Sequence, residues 1–244
     1  MTQDISNLKC PIHSFESLGA VDGPGIRFVI FTQGCNLQCK YCQNRDTWSH
    51  LGGTIYTVDE LYDKILHYKN YMIASGGGVT VSGGEPLLHM QFLIELFKKL
   101  KSQNIHTAID TSGAFYLTPG IKELISLTDL FLLDIKSIND EVCKNLTSVS
   151  NQKELEFARY LSEIKKPTWI RQVLVPGYTD KEEDLLKLKE FISSLSSVQK
   201  VEILPYHTLG KHKWSELGIS YPLEGIRDAT PEDVLRAKKI LGID

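Results

Sequence analysis

The chain has 244 residues, of which 42% are hydrophobic, and its 27 basic and 30 acidic residues give a net charge of −3. This length and composition suit one α/β domain, and no linker-like stretch divides the chain, so we expect a single domain over residues 1–244. The near balance of charge argues against a nucleic-acid partner bound through a bulk basic field. Residues 1–10 lack a leader pattern and no apolar run is long enough to span a membrane, so we expect a cytoplasmic protein.

Segments typical of strands and helices alternate along the chain. A first strand is predicted at residues 25–31, and a capping-box sequence at residues 57–60 predicts a helix that continues to Tyr71. Residues 91–101 carry apolar side chains at helical spacing. The remaining predicted strands are 79–81, 106–110, 130–134, 169–175 and 201–204, and the remaining predicted helices are 121–127, 154–164, 181–195 and one that begins at Pro231 after Thr230 as N-cap.

Six strands that alternate with helices predict a parallel sheet with right-handed crossovers. Periodicity does not decide whether the sheet curls into a barrel, and a doubly wound flat sheet is the alternative. In barrel-like α/β folds the active site lies at the carboxyl ends of the strands. The polar residues assigned to strand ends are the three clustered cysteines, Glu85, Asp110, Asp134 with Lys136, Arg171 and His207.

The three clustered cysteines, Cys35, Cys39 and Cys42, follow the first strand with the spacing C-x3-C-x2-C. Thiolates are the ligands that select iron–sulfur clusters, zinc or copper(I). A structural zinc site takes four protein ligands, whereas the other cysteines, Cys10 and Cys143, are remote in sequence. A cubane cluster on three cysteines has one iron that is open to a small molecule. A zinc loop completed by a distant histidine is the alternative.

The cysteine loop, with Tyr41 just before its last cysteine, resembles the cluster loop of the radical S-adenosylmethionine (SAM) enzymes. Residues 14–17, 21–28 and 44–48 are similar to the activases of glycyl radical enzymes. The resemblance extends from about His13 to about Trp214. It implies a partial (β/α)6 TIM-like barrel that is open on one side, and a 4Fe-4S cluster on the three loop cysteines.

The resemblance also implies which residues bind the cofactors. Gly83, Gly84 and Glu85 would receive the amino group of SAM, although alone they read as an ordinary turn. The other residues implied to contact SAM are Tyr41, Cys42, Gln43, Asp134, Ile135, Lys136, Arg171 and His207. A monovalent cation, sodium or potassium, would lie among Asp110, Thr111, Asp134 and a backbone carbonyl near Leu132. Taken singly, these charged residues read as ion pairs at a barrel rim, and His207 as a structural histidine.

The activity implied by the resemblance is reductive cleavage of SAM to a 5′-deoxyadenosyl radical, which takes a hydrogen atom from a glycine of pyruvate formate-lyase under anaerobic conditions. The cofactors carry this chemistry, so no side chain need act as an acid or base. Asp22 would contact the glycine loop of the target protein. The expected partners are this target and a small electron donor such as a flavodoxin or ferredoxin, and the expected state is a monomer that contacts neither nucleic acid nor membrane.

Three alternatives remain open at this stage. The chain could activate another glycyl radical enzyme, although many such activases carry a cysteine-rich insertion and residues 43–82 contain no cysteine. It could be a radical SAM enzyme that acts on a small molecule, or an electron-transfer or zinc-binding module. One position departs from the family pattern, since Gln43 stands where members often have histidine. Glutamine can still form hydrogen bonds there.

Overall fold

The computed structural model describes residues 8–243. The expectation that the chain has no leader concerns residues 1–10 and falls largely outside this range. The described strands are β1 (Lys9–Gly19), β2 (Arg27–Thr32), β3 (Thr54–Thr57), β4 (Gly78–Gly83), β5 (His106–Thr111), β6 (Leu130–Asp134), β7 (Thr168–Leu174) and β8 (Val198–Pro205). The described α-helices are α1 (Val58–Leu66), α2 (Lys69–Ser75), α3 (Met90–Ser102), α4 (Pro119–Leu127), α5 (Asp140–Thr147), α6 (Gln152–Glu163), α7 (Glu182–Ser193), α8 (Lys211–Glu216) and α9 (Pro231–Leu241).

The strands hydrogen-bond in the order β3-β1-β2-β4-β5-β6-β7-β8. The pairs β2–β4, β4–β5 and β7–β8 are parallel, which is the arrangement that helical crossovers produce. β1 is antiparallel to both β2 and β3. Because β3 and β8 lie at opposite edges, the sheet does not close on itself, and the predicted open α/β fold class is confirmed.

The chain divides into two compact units. The first contains the residues up to Asn36, Thr47–Thr111 and Tyr116–Leu132, and the second contains Leu37–Asp46, Ser112–Phe115 and the residues from Leu133 onward. The expectation of a single domain over 1–244 stays a prediction.

Capping residues and apolar periodicity in the sequence predicted the position of most helices and strands. Thr57 caps α1 and exchanges hydrogen bonds with Glu60, as the capping-box sequence predicts, and Thr230 caps α9 directly before Pro231. The apolar stripe predicted on α3 is confirmed, because all its members are at most 3% exposed. Burial of such side chains contributes about 1.5–3 kcal/mol each. The stripe consists of Phe92, Leu93, Leu96, Phe97 and Leu100.

Several details differ from the sequence-based expectations, and the helices α5 and α8 were not predicted. The helix predicted to reach Tyr71 ends at Leu66, and a separate helix α2 follows it. The antiparallel strands β1 and β3 were not predicted. Neither has a clear alternation of apolar and polar residues, because β1 is only partly buried and β3 has just four residues. Arg171, assigned to a strand end, lies in the middle of β7.

None of the helices in residues 8–243 has the length and apolar character that crossing a membrane requires.

Stability should fall as the pH drops from 7.5 to 5.5, partly because of His89. Its Nε2 donates a hydrogen bond to the carbonyl of Gln33 at 2.7 Å, and burial lowers the pKa of His89 below its ordinary value. Below a pH of about 6.5 the unfolded chain therefore takes up a proton that the folded chain does not, and the free energy of unfolding decreases. Urea unfolding at both pH values should show a smaller loss for His89→Gln than for the wild type. The matched variant of exposed His67, His67→Gln, should keep the wild-type dependence, and equal losses in all three proteins would contradict the role of His89.

Candidate functional site

The cysteine loop begins where β2 ends, in the first unit. Gly34 adopts a positive φ of 97°, which suits glycine, and its amide donates to the carbonyl of Thr47 at 2.7 Å. The amide of Cys35 donates to the carbonyl of Trp48 at 3.4 Å. The backbone that presents Cys35 is thus fixed by main-chain bonds to the segment that follows the loop.

The rest of the loop belongs to the second unit and rests on the end of helix α5. The amides of Gln38 and Lys40 donate to the carbonyls of Thr147 and Leu146 at 2.9 and 2.8 Å, and so satisfy acceptors that a helix end leaves unpaired. The amide of Cys42 donates to the carbonyl of Cys39 at 2.9 Å, which forms a tight turn between these two cysteines. Cys39 is buried, whereas Cys35 and Cys42 are partly exposed.

The segment Gly83-Gly84-Glu85 packs directly on the backbone that leads into Cys35. The amide of Gly84 donates to the carbonyl of Thr32 at 2.9 Å, and the amide of Glu85 donates to the carbonyl of Gly34 at 2.8 Å. A Cβ on Gly84 would lie 2.0 Å from the Gly34 oxygen, so only glycine fits. The absence of a side chain on Gly84 thus admits the neighbouring backbone, and the predicted contact of these glycines with a ligand stays a prediction.

The carboxylates at the ends of β4 and β5 are hydrogen-bonded to hydroxyl groups of the same unit. Glu85 is 2% exposed, and its Oε1 accepts bonds from the Thr111 hydroxyl at 2.6 Å and from the amide of Leu87 at 3.1 Å. Asp110 accepts a bond from the Ser82 hydroxyl at 3.0 Å. The structure therefore brings Glu85 and Thr111 together, and Asp110 joins the end of β4.

In the second unit, the end of β6 carries a buried group of charges. Lys136 forms an ion pair with Asp134, and its amide donates to Glu154 Oε1 at 3.1 Å. Burial disfavours the charged ammonium, but Asp134, with Tyr41 and Cys39, outweighs it, so the pKa of Lys136 lies above its ordinary value. Burial also raises the pKa of Glu154, and its Oε2 has no hydrogen-bond partner among the described residues.

Glu154 was missed as a site residue, although the sequence contained a signal. Helix α6 buries Phe157, Ala158 and Leu161, and Glu154 lies on the same face at positions i−3, i−4 and i−7 from them. A carboxylate on an apolar stripe is rarely buried without a specific partner. Here the partner is the backbone of the turn that carries Lys136.

Among the remaining predicted residues of the second unit, Ile135 and His207 follow the ends of β6 and β8, whereas Arg171 lies in the middle of β7. The amide of Ile135 donates to the carbonyl of Arg171 at 2.8 Å, and Arg171 pairs with Glu202 through its Nε at 2.8 Å. Gln43 donates to the carbonyl of His207 at 2.9 Å, so the residue after the last cysteine is tied to the segment after β8.

Nδ1 of His207 and the hydroxyl of Tyr41 are among the buried polar atoms of this unit that have no protein partner in the described residues. Such atoms are costly unless a water or ligand satisfies them. Both belong to residues implied to contact SAM, and this agrees with a polar cofactor in contact with them.

The metal-binding capacity of the loop rests on the type and spacing of its donors. No three His, Cys, Asp or Glu side chains within residues 8–243 already form a metal-binding group. All five cysteines are reduced, and three of them fall within eight residues of one anchored loop. Three thiolates on a short loop fit an iron–sulfur cluster with one open iron.

Two further predicted residues lie in the first unit. Leu132 is fully buried in β6. Asp22 lies in the turn between β1 and β2, and its carbonyl accepts a bond from the Thr80 hydroxyl at 2.6 Å. The contacts of Leu132 with a cation and of Asp22 with a partner protein stay predictions.

Comparison with known proteins agrees with this geometry. The sequence profile of the Radical SAM superfamily matches residues 29–188. The pyruvate formate-lyase-activating enzyme of Staphylococcus epidermidis is 54% identical over 97% of each chain, and the pyruvate formate-lyase 1-activating enzyme of Escherichia coli K12 is 48% identical over 94% of each. The crystal structure of a domain of pyruvate-formate lyase-activating enzyme from Bacteroides vulgatus superposes with a TM-score of 0.58 at 30% identity, and covers 68% of this chain and 94% of that domain.

Gly84→Ala should disturb the start of the cysteine loop, because its Cβ would collide with the Gly34 carbonyl oxygen. We expect a loss of about 1–3 kcal/mol in the free energy of unfolding, as for other overpacked sites. Urea unfolding of the protein without bound metal measures this loss. Gly120→Ala is the control: Gly120 lies in helix α4, where alanine is favoured, and its Cβ would meet the flexible side chains of Met90 and Gln91 rather than a backbone. Equal stability of the two variants would contradict the tight backbone contact.

Proposed function

Because this chain belongs to the radical SAM superfamily and, within it, to the pyruvate formate-lyase-activating enzymes, we propose that it generates the glycyl radical of pyruvate formate-lyase. The enzyme would cleave SAM reductively and abstract one hydrogen atom from a glycine of this target protein. The observation that supports the proposal most directly is the cysteine loop, whose first cysteine follows a backbone hydrogen-bonded to Gly84 and Glu85. The start of the cysteine loop, at the end of β2, and the glycine segment, at the end of β4, are thus in direct contact.

The residues that would hold the cofactors are those assigned from the sequence. Cys35, Cys39 and Cys42 would ligate a 4Fe-4S cluster and leave one iron for the amino and carboxylate groups of SAM. When bound, the cluster supplies the electron that splits SAM into methionine and the hydrogen-abstracting 5′-deoxyadenosyl radical. The protein's part is to orient the cofactor and exclude water.

The side chains around the cofactor have separate tasks. The segment 83–85 would bind the methionine portion of SAM, and the amide and side chain of Lys136 are held in place by Glu154 and Asp134. Tyr41, which is 5% exposed, would shield the loop from water with its ring. His207 offers a buried ring nitrogen to the cofactor. Gln43, Ile135 and Arg171 are assigned to the same cofactor on the resemblance.

The finer assignments are parts of the same proposal. A sodium or potassium ion would lie among Asp110, Thr111, the carbonyl near Leu132 and Asp134, since hard oxygen ligands suit such an ion. Asp22 would accept backbone N–H groups of the target's glycine segment. A flavodoxin or ferredoxin would supply the electron to a monomeric, cytoplasmic enzyme.

The defining experiment mixes the anaerobically reconstituted protein with SAM, a reductant and pyruvate formate-lyase. We expect equal amounts of methionine and 5′-deoxyadenosine, and the doublet of a glycyl radical by electron paramagnetic resonance. Cys35→Ala, Cys39→Ala and Cys42→Ala should each abolish both, because each removes one of three ligands. Cys10→Ala and Cys143→Ala, which alter buried thiols outside the loop, should retain most of the activity.

Two results would contradict the proposal. Full activity in any of the three loop variants would exclude that cysteine as a ligand. SAM cleavage by the wild type without a glycyl signal on pyruvate formate-lyase would instead indicate another target. Glycyl radical enzymes of other classes and candidate small molecules can then be tested in the same assay.

The cation assignment predicts that removing a carboxylate weakens SAM binding, whereas charge repulsion alone predicts that it strengthens SAM binding. Removal of a carboxylate beside the anionic group of SAM should tighten binding unless a cation lies between them. We therefore expect Asp110→Ala and Asp134→Ala to weaken SAM binding about tenfold, or about 1.4 kcal/mol. Equilibrium binding with sodium, potassium or a bulky organic cation measures this, and Asp63→Ala, at an exposed carboxylate of α1, is the control. Tighter binding by either variant, or indifference to the cation, would overturn the ion site.

A further inference from the structure

Arg27 is the largest fully buried side chain of the described residues. It is the first residue of β2, and it forms no ion pair with a carboxylate in the described part of the chain. Burial lowers the pKa of Arg27 to about 10, with partial compensation by the charges of Asp129 and Asp22. The guanidinium therefore stays charged at neutral pH. A buried cation without a paired carboxylate is costly, so its hydrogen bonds indicate what it stabilises.

Part of the guanidinium is bound to the sheet itself. One terminal nitrogen donates to the carbonyl of Val79 at 2.5 Å, and the other donates to Nδ1 of His106 at 3.2 Å. Burial and the nearby Arg27 charge lower the pKa of His106, so its ring remains neutral and Nδ1 can accept this bond. The strands β4 and β5 thus fix the position of the arginine head group.

The remaining bonds of Arg27 lead to the turn between β1 and β2. Its Nε donates to the Thr80 hydroxyl at 2.8 Å, and this hydroxyl donates in turn to the carbonyl of Asp22 at 2.6 Å. A terminal nitrogen also approaches the carbonyl of Pro24 at 3.5 Å. Two carbonyls of the turn are therefore held by one guanidinium, directly and through Thr80.

The far end of the turn is held as firmly. Gly25 has a φ of 63°, and a Cβ there would lie 2.5 Å from the amide nitrogen of Gly77. The next amide, that of Ile26, donates to the Ser75 hydroxyl at 2.8 Å. The turn accordingly has little freedom to move away from β4.

The pleat of β4 relates this turn to a predicted site residue. Thr80 and Ser82 are two residues apart on one strand, so their side chains point to the same face of the sheet and are separated by about 6.5–7 Å along it. Thr80 binds the carbonyl of Asp22, and Ser82 binds the carboxylate of Asp110. The carbonyl of Asp22 and the carboxylate of Asp110 are thus bound on the same face of β4, at positions two residues apart.

We infer that Arg27 is a positioning residue for the target protein, which acts through Thr80 to hold the Asp22 turn in the conformation that receives the glycine segment. This inference rests on the proposed function, since it assigns Asp22 to the target contact. A purely structural arginine could be anchored by the sheet carbonyl alone. The bonds from Arg27 and Thr80 to the Asp22 and Pro24 carbonyls give it a second task.

Thr80→Val tests this directly, because it keeps the shape of the side chain and removes the hydroxyl that joins Arg27 to Asp22. We expect the KM for a glycine-loop peptide to rise about tenfold, with the kcat and the peptide-independent cleavage of SAM unchanged. Thr80→Ser, which restores the hydroxyl, should return the KM to within about threefold of the wild type. In an Asp22→Ala background, Thr80→Val should add little to the KM, since both changes act on one contact.

Thr168→Val is the matched control for a merely structural effect. Thr168 is a buried threonine of β7 whose hydroxyl donates to the carbonyl of Lys166 at 2.9 Å, and that bond involves neither the turn nor Arg27. It should lower the unfolding midpoint as Thr80→Val does while leaving the KM for the peptide unchanged. If Thr80→Val does not fold, Arg27→Lys takes its place, because lysine keeps the charge but loses the forked donors.

The outcomes separate this inference from the proposed function. If the wild type forms the glycyl radical and folded Thr80→Val has the wild-type KM, the positioning role of Arg27 is wrong and the function stands. An equal rise in KM for Thr168→Val would show that the effect of Thr80→Val comes from lost stability, and would likewise overturn the positioning role. If the wild type cleaves SAM but never yields a glycyl signal, the proposed function and the inference both fail.

Discussion

The close approach of two backbones sets the geometry at the end of β2. The amides of Gly84 and Glu85 donate to the carbonyls of Thr32 and Gly34, and a side chain on Gly84 would occupy the position of the Gly34 oxygen. The residues that lead into Cys35 and those that follow β4 therefore form one rigid piece. Because Glu85 also accepts a bond from Thr111, the end of β5 is joined to the same piece. A small shift of any of these backbones would move the first cysteine.

Two buried titratable side chains, Arg27 and Glu154, order the main chain. In the first unit, the guanidinium of Arg27 binds the carbonyls of Val79 and Pro24. In the second unit, Glu154 binds the amide of Lys136. Burying a titratable side chain costs more free energy than burying an apolar side chain of similar volume, so stability alone does not explain either residue. Each instead defines the conformation of a turn that carries residues assigned to the function, Asp22 in one case and Lys136 in the other.

The structure confirms the predicted strand-end position for some of the assigned residues but not for all of them. Glu85, Asp110 and Asp134 lie at or next to the ends of parallel strands, as expected, since the carboxyl end of a strand is evident once its apolar run is recognised. Arg171 does not, because the run 168–174 continues past it and is buried on both sides. The glycines before Glu85 were predicted to let a ligand approach, which stays a prediction. The structure shows in addition that Gly84 lies against the chain's own backbone at Gly34, a contact that no local pattern identifies.

The sequence by itself determined what depends on nearby residues. Capping boxes, the apolar stripe of α3 and the spacing of the three cysteines are set within a few positions of the chain, so they predicted elements, a metal-binding loop and a family. Only the tertiary structure decided the antiparallel pairing of β1 and β3, the partner of Glu154 and the bonds of Arg27 to Thr80 and Pro24. These features join residues that are mostly far apart in sequence. The free energy of each such contact depends on which buried backbone N–H and C=O groups still lack a hydrogen-bond partner. That is decided only when the strands have paired.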